Sequence, residues 1–347
     1  MRITAVLCVK NEGAFLLEWL AHHRASGITD FLVFSNDCTD GTDAMLDRLE
    51  TMGWLTHVRN PGPYQQGPQF TALNNAERHP LVKGADWVLP LDIDEFVNVH
   101  VGDRTLPDLI AALPDATAIT LTWRLFGNAG VVRYEDRPVT ESFTRAAPRI
   151  LHWPWRANLF KTLVKNDGGY RKLGVHRPRS PVPERLAGQR WYDGSGRALA
   201  PLFHRERIFS NLGQDNHALV QLNHYPLCAV ESFVLKRDRG RAVHADGGLD
   251  VGYWVERNFN SDEDRSILKL ESAALRDGLH QDQRLRNMHE AAVDWRRMRF
   301  RELMREDAWR SLYGQLRMAG ETRVLDRDEA ESIWKPHISK AERQIRS

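Results

Sequence analysis

The sequence has little cysteine: Cys8, Cys38 and Cys228 are three residues, odd in number and far apart. That usage argues against a disulfide framework or a zinc site and predicts three reduced thiols. Also missing is any apolar run near the roughly 18 residues that span a bilayer, which excludes an integral helical membrane protein. Charge of one sign is lacking too. Lys and Arg number 48 against 46 Asp and Glu, a net charge of +2, so no global field calls for a nucleic-acid or membrane partner. There is no internal repeat, no low-complexity tract and no G-x-x-x-x-G-K-[ST] phosphate loop. The first ten residues lack a basic segment, a following apolar stretch and a small-residue cleavage site. They predict a chain that starts at Met1 in the cytoplasm.

What is present is an ordinary globular composition, 42% hydrophobic and 27% charged over 347 residues, enough for a sizeable core. Ile3 to Val9 reads as a buried strand. A helix with Phe15, Trp19 and His22 on one stripe follows, ended by Gly27. Phe31 to Phe34 is a second strand, opening into a polar turn in which Thr39 or Asp40 caps the helix of Met45, Leu49 and Met52. A third strand spans Trp54 to Val58, a polar loop Asn60 to Pro68, a helix Gln69 to His79, and a fourth strand Trp87 to Leu91. Strands alternating with helices predict an α/β fold with a mostly parallel sheet and helices on both faces. In such sheets ligands bind at the carboxyl ends of strands. Three polar clusters, Lys10-Asn11-Glu12, Ser35 to Thr42 and Asp92-Ile93-Asp94-Glu95, would therefore share one edge.

Asp92 and Asp94 leave a buried strand two residues apart and start on one face. A turn there lets Asp94 reach a divalent cation, while Asp92 holds a sugar hydroxyl or a metal-bound water. Hard oxygen ligands completed by diphosphate and water suit Mg2+ or Mn2+.

The run "VKNEGAFLLEWLAHHRASGITDFLVFSNDCTDGTDAML", followed by "ADWVLPLDIDEFVNV", resembles the nucleotide-sugar-binding half of glycosyltransferase family 2 and its relatives of GT-A fold. "WRLFGNAG", "FKTLV" with "GVHRP", "LNHYPLCAVESFVLKRDRGR" and "YWVERNFNSDED" resemble its bacterial branch, over about residues 1 to 270. The resemblance implies a GT-A catalytic domain over 1–245, with a helical C-terminal extension over 246–347. By the same resemblance Glu12 sits by the base or ribose, and Asn36 and Asp40 frame that pocket. Ser35 stands where many relatives have an acid. Asp92 and Asp94 match the metal and donor motif, and His176 matches the late histidine that holds metal or diphosphate, with His224 competing for that role.

Lys161, Lys236 and Arg239 would neutralise the diphosphate leaving group, because charge must be stabilised where it develops. An inverting transfer needs a base on the acceptor hydroxyl. Glu141 is the candidate, with Glu135, Asp136 and Glu95 as competitors. Trp123, Phe126, Trp153 and Trp155 form either an acceptor-stacking platform or core, and Gly127 and Gly130 admit a close backbone or a tight turn. Near the C-terminus, Leu285, Met288, Ala292, Trp295 and Met298 predict one or two amphipathic helices. Arg296, Arg297, Arg299, Arg301 and Arg305 form a solvated face or a basic patch for an anionic membrane surface. The sequence thus predicts a cytoplasmic transferase, dependent on Mn2+ or Mg2+ and peripheral to the inner membrane face if that patch operates. Its partners would be a nucleotide-diphosphate sugar donor and a glycan or lipid-linked acceptor, without nucleic acid. The alternatives are a metal-dependent nucleotidyl or phosphoryl enzyme, and a non-catalytic nucleic-acid-binding protein using the arginine-rich helix.

Overall fold

A computed structural model of the chain describes residues 1–240 and 249–333. The expected domain boundary at 245/246 lies outside the described residues. Strand β1 (Ile3–Val9) alternates between two buried faces, with Ile3, Ala5, Leu7 and Val9 in one core and Val6 in the other. Helices α1 (Gly13–Ala25) and α2 (Thr42–Thr51) cover the first face with Leu16, Trp19, Leu20, Met45 and Leu49. Helix α3 (Pro68–Ala76) covers the second with Ala72, Leu73 and Ala76.

The remaining principal strands are β2 (Asp30–Ser35), β3 (Thr56–Arg59), β4 (Trp87–Leu91), β5 (Glu95–Val99), β6 (Ala118–Leu125), β7 (Phe160–Lys165) and β8 (Val220–His224). Their order is β3-β2-β1-β4-β7-β6-β8-β5, with Trp191–Tyr192 added beside β6. Pairing is parallel from β3 to β4 and between β6 and β8, whereas β7 and β5 run against their neighbours. This is the α/β class expected from the sequence, with a mostly parallel sheet and helices on both faces. The ends of β1, β2 and β4 bring the three polar clusters to one edge, also as expected.

Two expected elements differ. The helix expected over Gln69 to His79 ends at Ala76, because Pro80 holds the preceding His79 in an extended conformation before a short turn at Pro80–Lys83. Among the described residues the C-terminal region has more helices than the one or two expected, including Ala273–Gln281, α5 (Gln283–Leu303) and Asp307–Met318. Asp282 separates the first two, since its side chain accepts a hydrogen bond from Leu285 N at 2.9 Å and caps a new helix. Leu285 and Ala292 of α5 are buried, while Met298 is 48% exposed. Nor do the arginines of α5 form one patch. Arg296 is buried, Arg297 pairs with Asp294, and Arg299 pairs with Asp238 and Glu302.

Only three residues separate β4 from β5, although these strands lie far apart in the sheet order. The sheet curls, and α1 supplies the partners for the edge of β5 that faces it. His22 Nε2 donates to the Val97 carbonyl at 2.7 Å, and Val97 N donates to His23 Nε2 at 3.3 Å. His23 Nδ1 in turn donates to Trp19 O at 2.8 Å, so His23 is neutral, with one nitrogen protonated and the other accepting. Burial pulls the pKa of His22 down to about 4 and that of His23 well below the usual range.

Both histidines are uncharged in the fold but take a proton in the unfolded chain below about pH 6.5. Their stabilisation is therefore complete above that pH and is lost as the pH falls toward 4. For His22 the loss over that window is roughly 3 kcal/mol. The stability gap between the native chain and His22→Gln, measured by urea unfolding at pH 7, 5.5 and 4, should narrow by about that amount. Parallel curves would contradict this account.

Candidate active site

The edge formed by β1, β2 and β4 opens into a cleft of about 350 Å³, lined by Asn36, Asp37, Tyr64, Asp92, Asp94, Trp123, His224, Lys236 and Arg239 among others. Its floor is the turn Asp92-Ile93-Asp94, closed by a hydrogen bond from Glu95 N to Asp92 O at 3.1 Å. Trp19 Nε1 of α1 donates to Asp92 O and Glu95 O and so holds the turn from beneath.

Three acids lie within four residues here, and the surrounding elements supply the countercharge. Lys161 on β7, 1% exposed, places Nζ 2.8 Å from Asp92 Oδ2 and 3.5 Å from Glu95 Oε2. Burial would lower its pKa, but the acids Asp92 and Glu95 outweigh that penalty and raise it, so Lys161 is charged. Gln69 Nε2 occupies the other Asp92 oxygen at 2.7 Å. Glu95 is fully buried, accepting from Trp123 Nε1 at 2.6 Å and from Asp92 N at 2.8 Å. Burial raises it to about 8 despite Lys161.

Asp94 is paired from the opposite side. Lys236 of helix α4 (Val230–Arg239) donates to its Oδ2 at 2.6 Å, and His224 Nε2 at the end of β8 stands 3.5 Å away. Burial opposes ionisation of Asp94, but Lys236 and His224 prevail and hold the carboxyl well below the usual range. Burial lowers the pKa of His224 against the pull of Asp94 and leaves a neutral imidazole, and its ring lies 4.1 Å from that of Trp123.

The expected site residues thus divide. Asp92, Asp94, Lys161, His224, Lys236 and Arg239 converge on the cleft floor and its rim. Asn36 lines the cleft as a brace: it donates to Val9 O at 2.8 Å and accepts from Asn60 Nδ2 at 2.6 Å. His176 stands behind Trp123 at 5.6 Å between ring centroids, and its Nδ1 donates to Phe160 O at 3.0 Å.

Two expected contacts with the base or ribose are spent elsewhere. Glu12 is ion-paired with Arg239. Asp40 is buried, accepting from Thr42 N and Oγ1 and from Gly13 N, so it ties α1 to α2 in place of capping by Thr39 or Asp40.

Glu141 lies outside the cleft. It sits in the turn Val139–Ser142, pairs with Arg276 at 3.1 Å, and lines a separate cavity with Glu18 and His22. Asp136 pairs with His289, and Phe126 is wholly core. Trp153 and Trp155 are half-buried, Trp155 packing on Phe209. Gly127 abuts Phe259 O and Asn260, where a Cβ would approach within 2.4 Å, so its need is packing.

Sequence reading missed Gln69 and Tyr64. Tyr64 donates to Asp37 Oδ2 at 2.8 Å and to Asn60 O at 2.6 Å, and Asp37 is in the left-handed region at φ 44°. A tyrosine in a Pro/Gly-rich loop was the available signal.

A divalent ion would be held by Asp94 and His224, an ionised carboxylate and a neutral imidazole facing one another, with diphosphate oxygens and water completing the shell. Both oxygens of Asp92 are already engaged, by Lys161 and Gln69, which leaves it less free than Asp94 and His224 to ligate an ion. Among the described residues no group of three or more His, Cys, Asp or Glu forms a complete metal cage.

Because Lys161 pairs with Asp92 and stands against buried Glu95 from below, Lys161→Met should destabilise the fold by about 2–4 kcal/mol in urea unfolding. A loss under about 1 kcal/mol would show that the acids do not depend on it.

Comparison with known proteins bears on this site. The family model of glycosyltransferase family 92 matches residues 4–187, a span that includes the acidic turn and Lys161 and stops before β8 and α4. A family 92 protein of Oryza sativa subsp. japonica is 24% identical over 140 residues, covering 39% of this chain and 23% of that protein. One of Ricinus communis is 24% identical over 184 residues, covering 48% of this chain and 31% of that protein. This chain therefore spans less than a third of the length of either plant relative.

Two solved structures also align with parts of the chain. One is Staphylococcus aureus TarS 1–349 in complex with UDP-GlcNAc, at 19% identity and a TM-score of 0.28, over 39% of this chain and 37% of that one. The other is Mycobacterium tuberculosis glucosyl-3-phosphoglycerate synthase with Mn2+, UDP and glucosyl-3-phosphoglycerate, at 20% and 0.26, over 35% of this chain and 44% of that one. The motif series resembles family 2, whereas the model that matches belongs to family 92. Since that match covers more than half of the 347 residues, the chain belongs to glycosyltransferase family 92.

Proposed function

We propose that the cleft binds a nucleotide-diphosphate sugar and that the chain transfers its sugar to a hydroxyl of a glycan or lipid-linked acceptor. The observation that carries this reading is the acidic turn at the carboxyl end of β4, bracketed by buried Lys161 and half-buried Lys236 from different elements. Turns of this kind, at strand ends of an α/β sheet, suit a ligand with both phosphate and hydroxyl groups.

Each side chain then has a role. Lys236 and Arg239 face the diphosphate and stabilise the charge that develops as the sugar leaves. Asp92, fixed by Lys161 and Gln69, accepts a hydrogen bond from a donor hydroxyl and orients the sugar. Tyr64 offers a ring face at the end of the cleft where Asn36 and Asp37 stand, suited to the base. Mn2+ or Mg2+ held by Asp94 and His224 would supply Lewis-acid stabilisation of the leaving diphosphate. Trp123 fixes the His224 ring beside Asp94 and, through Glu95, the turn itself.

Turnover tests this reading. Purified chain incubated with UDP-, GDP-, CDP- and dTDP-hexoses and Mn2+ should release one nucleoside diphosphate. Asp94→Asn and Lys236→Met should each lower that rate by about 10²–10³, as expected for removing a preorganised charge from the reacting centre. Asp37→Asn, at the base end, should raise KM with kcat little changed. Equal rates in Asp94→Asn and the native chain would overturn the assignment.

A further inference from the structure

Behind the Asp94–Lys236 pair lies a second cavity of about 50 Å³, enclosed by the start of α1, the Tyr225 to Cys228 loop, α4 and α5. A single water needs roughly 10–15 Å³ by this measure, so there is room for a small polyatomic group. Ile93, Asp94, Lys236 and Arg239 line both this cavity and the main cleft, which makes the two continuous.

The walls are largely apolar, with Phe15, Phe96 and Leu235 among them. Yet two buried polar side chains that line it lack partners. Arg296 of α5 is 5% exposed and Ser232 of α4 is 6% exposed, and neither Arg296 Nε nor Ser232 Oγ has a hydrogen-bond partner. The Arg296 guanidinium lies over the rings of Phe15 at 4.5 Å and Tyr134 at 4.8 Å. Among the described residues no carboxylate pairs with it.

Ring faces attract the cation, but they leave its Nε–H without an acceptor. A buried guanidinium in that state is costly. The neighbouring carboxylates are already committed, Asp40 to Thr42 and Gly13, Glu12 to Arg239 and Asp94 to Lys236. Burial, together with repulsion from Arg296, pulls Arg239 down to about 10, as expected where cations outnumber the acids available to them. An oxyanion at the guanidinium edge, also accepting from the Ser232 hydroxyl, would meet all of these needs with charge-assisted hydrogen bonds.

We infer that this cavity is an oxyanion subsite, formed by Arg296 and Ser232, for a phosphate or carboxylate group carried on a substrate in the adjoining cleft and distinct from the donor's own diphosphate. The assignment rests on the sugar-transfer reading of that cleft and adds that one of the two substrates, sugar or acceptor, is acidic.

Calorimetric titration of the full chain with inorganic phosphate and with acetate tests it, beside a parallel titration with UDP, GDP, CDP and dTDP. Phosphate or acetate should bind the native chain. Arg296→Met, which keeps a stem between the two rings, should weaken that binding by about tenfold or more, and Ser232→Ala by roughly threefold. The affinity for the nucleoside diphosphate should stay within about twofold in both variants.

Anion binding identical in the native chain and both variants would overturn the subsite, as would its absence from the native chain. Parallel loss of anion and nucleotide binding would assign the cavity to the diphosphate and overturn the inference equally. If Arg296→Met does not fold, Ser232→Ala and Arg296→Lys decide the matter, and unchanged anion affinity in both counts against the proposal. Failure of every nucleotide to bind the native chain, with anion binding intact, would instead reject the reading of the cleft. Phosphate binding without acetate binding, or the reverse, tells which acidic group the subsite takes.

Discussion

The site depends on one constraint: Asp92, Asp94 and Glu95 stand within four residues at a strand end, and such acids cannot share a partly buried turn without countercharge. Lys161 answers from below, through a strand that is remote in sequence and antiparallel to β4. Lys236 answers from above, through a helix near residue 236. Lys161 is fully buried and Lys236 half-buried against these acids, and the two lysines balance the charge of the turn from opposite sides. The acidic turn is therefore built into the packing of the sheet. That preorganisation is what the proposed charge stabilisation at a leaving diphosphate needs.

The same logic explains the curl of the sheet. A three-residue link cannot carry the chain from β4 across a flat sheet to its far edge. Curling brings β5, and with it β8, back toward the acidic turn, which delivers His224 to Asp94. The polar edge of β5 that the curl leaves facing α1 is satisfied by His22 and His23, and Trp19 holds the backbone of the turn itself. One helix thus fixes both the strand and the site, and its histidines serve architecture. Fourteen histidines give a reader of the sequence little means of telling such roles apart.

Much of this was legible. Alternating apolar strands and amphipathic helices predict the sheet, its two covered faces and the edge where polar turns gather. Asp92, Asp94, Lys161, His224, Lys236 and Arg239 stand out in the sequence and meet at the cleft floor and rim. Where a residue has a partner that the sequence does not suggest, one cause recurs. Glu12 and Asp40 occupy the right strand ends, yet their partners, Arg239 and the start of α1, are set by tertiary packing that spacing does not encode. Glu141 lies in the expected stretch of sequence, but its turn faces Arg276 on another side of the molecule. Arg296 looked like one member of a surface run, and only the burial of its face of α5 separates it from Arg297 and Arg299.

On the proposed function, the acidic turn and its lysines form a site for a nucleoside diphosphate with a metal half-site at Asp94. The most direct measurement is thermal unfolding of the chain with UDP, GDP, CDP or dTDP, each with Mn2+ and with EDTA, beside Asp94→Asn. A ligand at 100 times its dissociation constant stabilises the fold by about 2.7 kcal/mol. The account predicts that one diphosphate raises Tm in Mn2+, and that EDTA or Asp94→Asn removes most of the rise. A folded chain whose Tm responds to none of the four, or responds equally without Asp94, would contradict it.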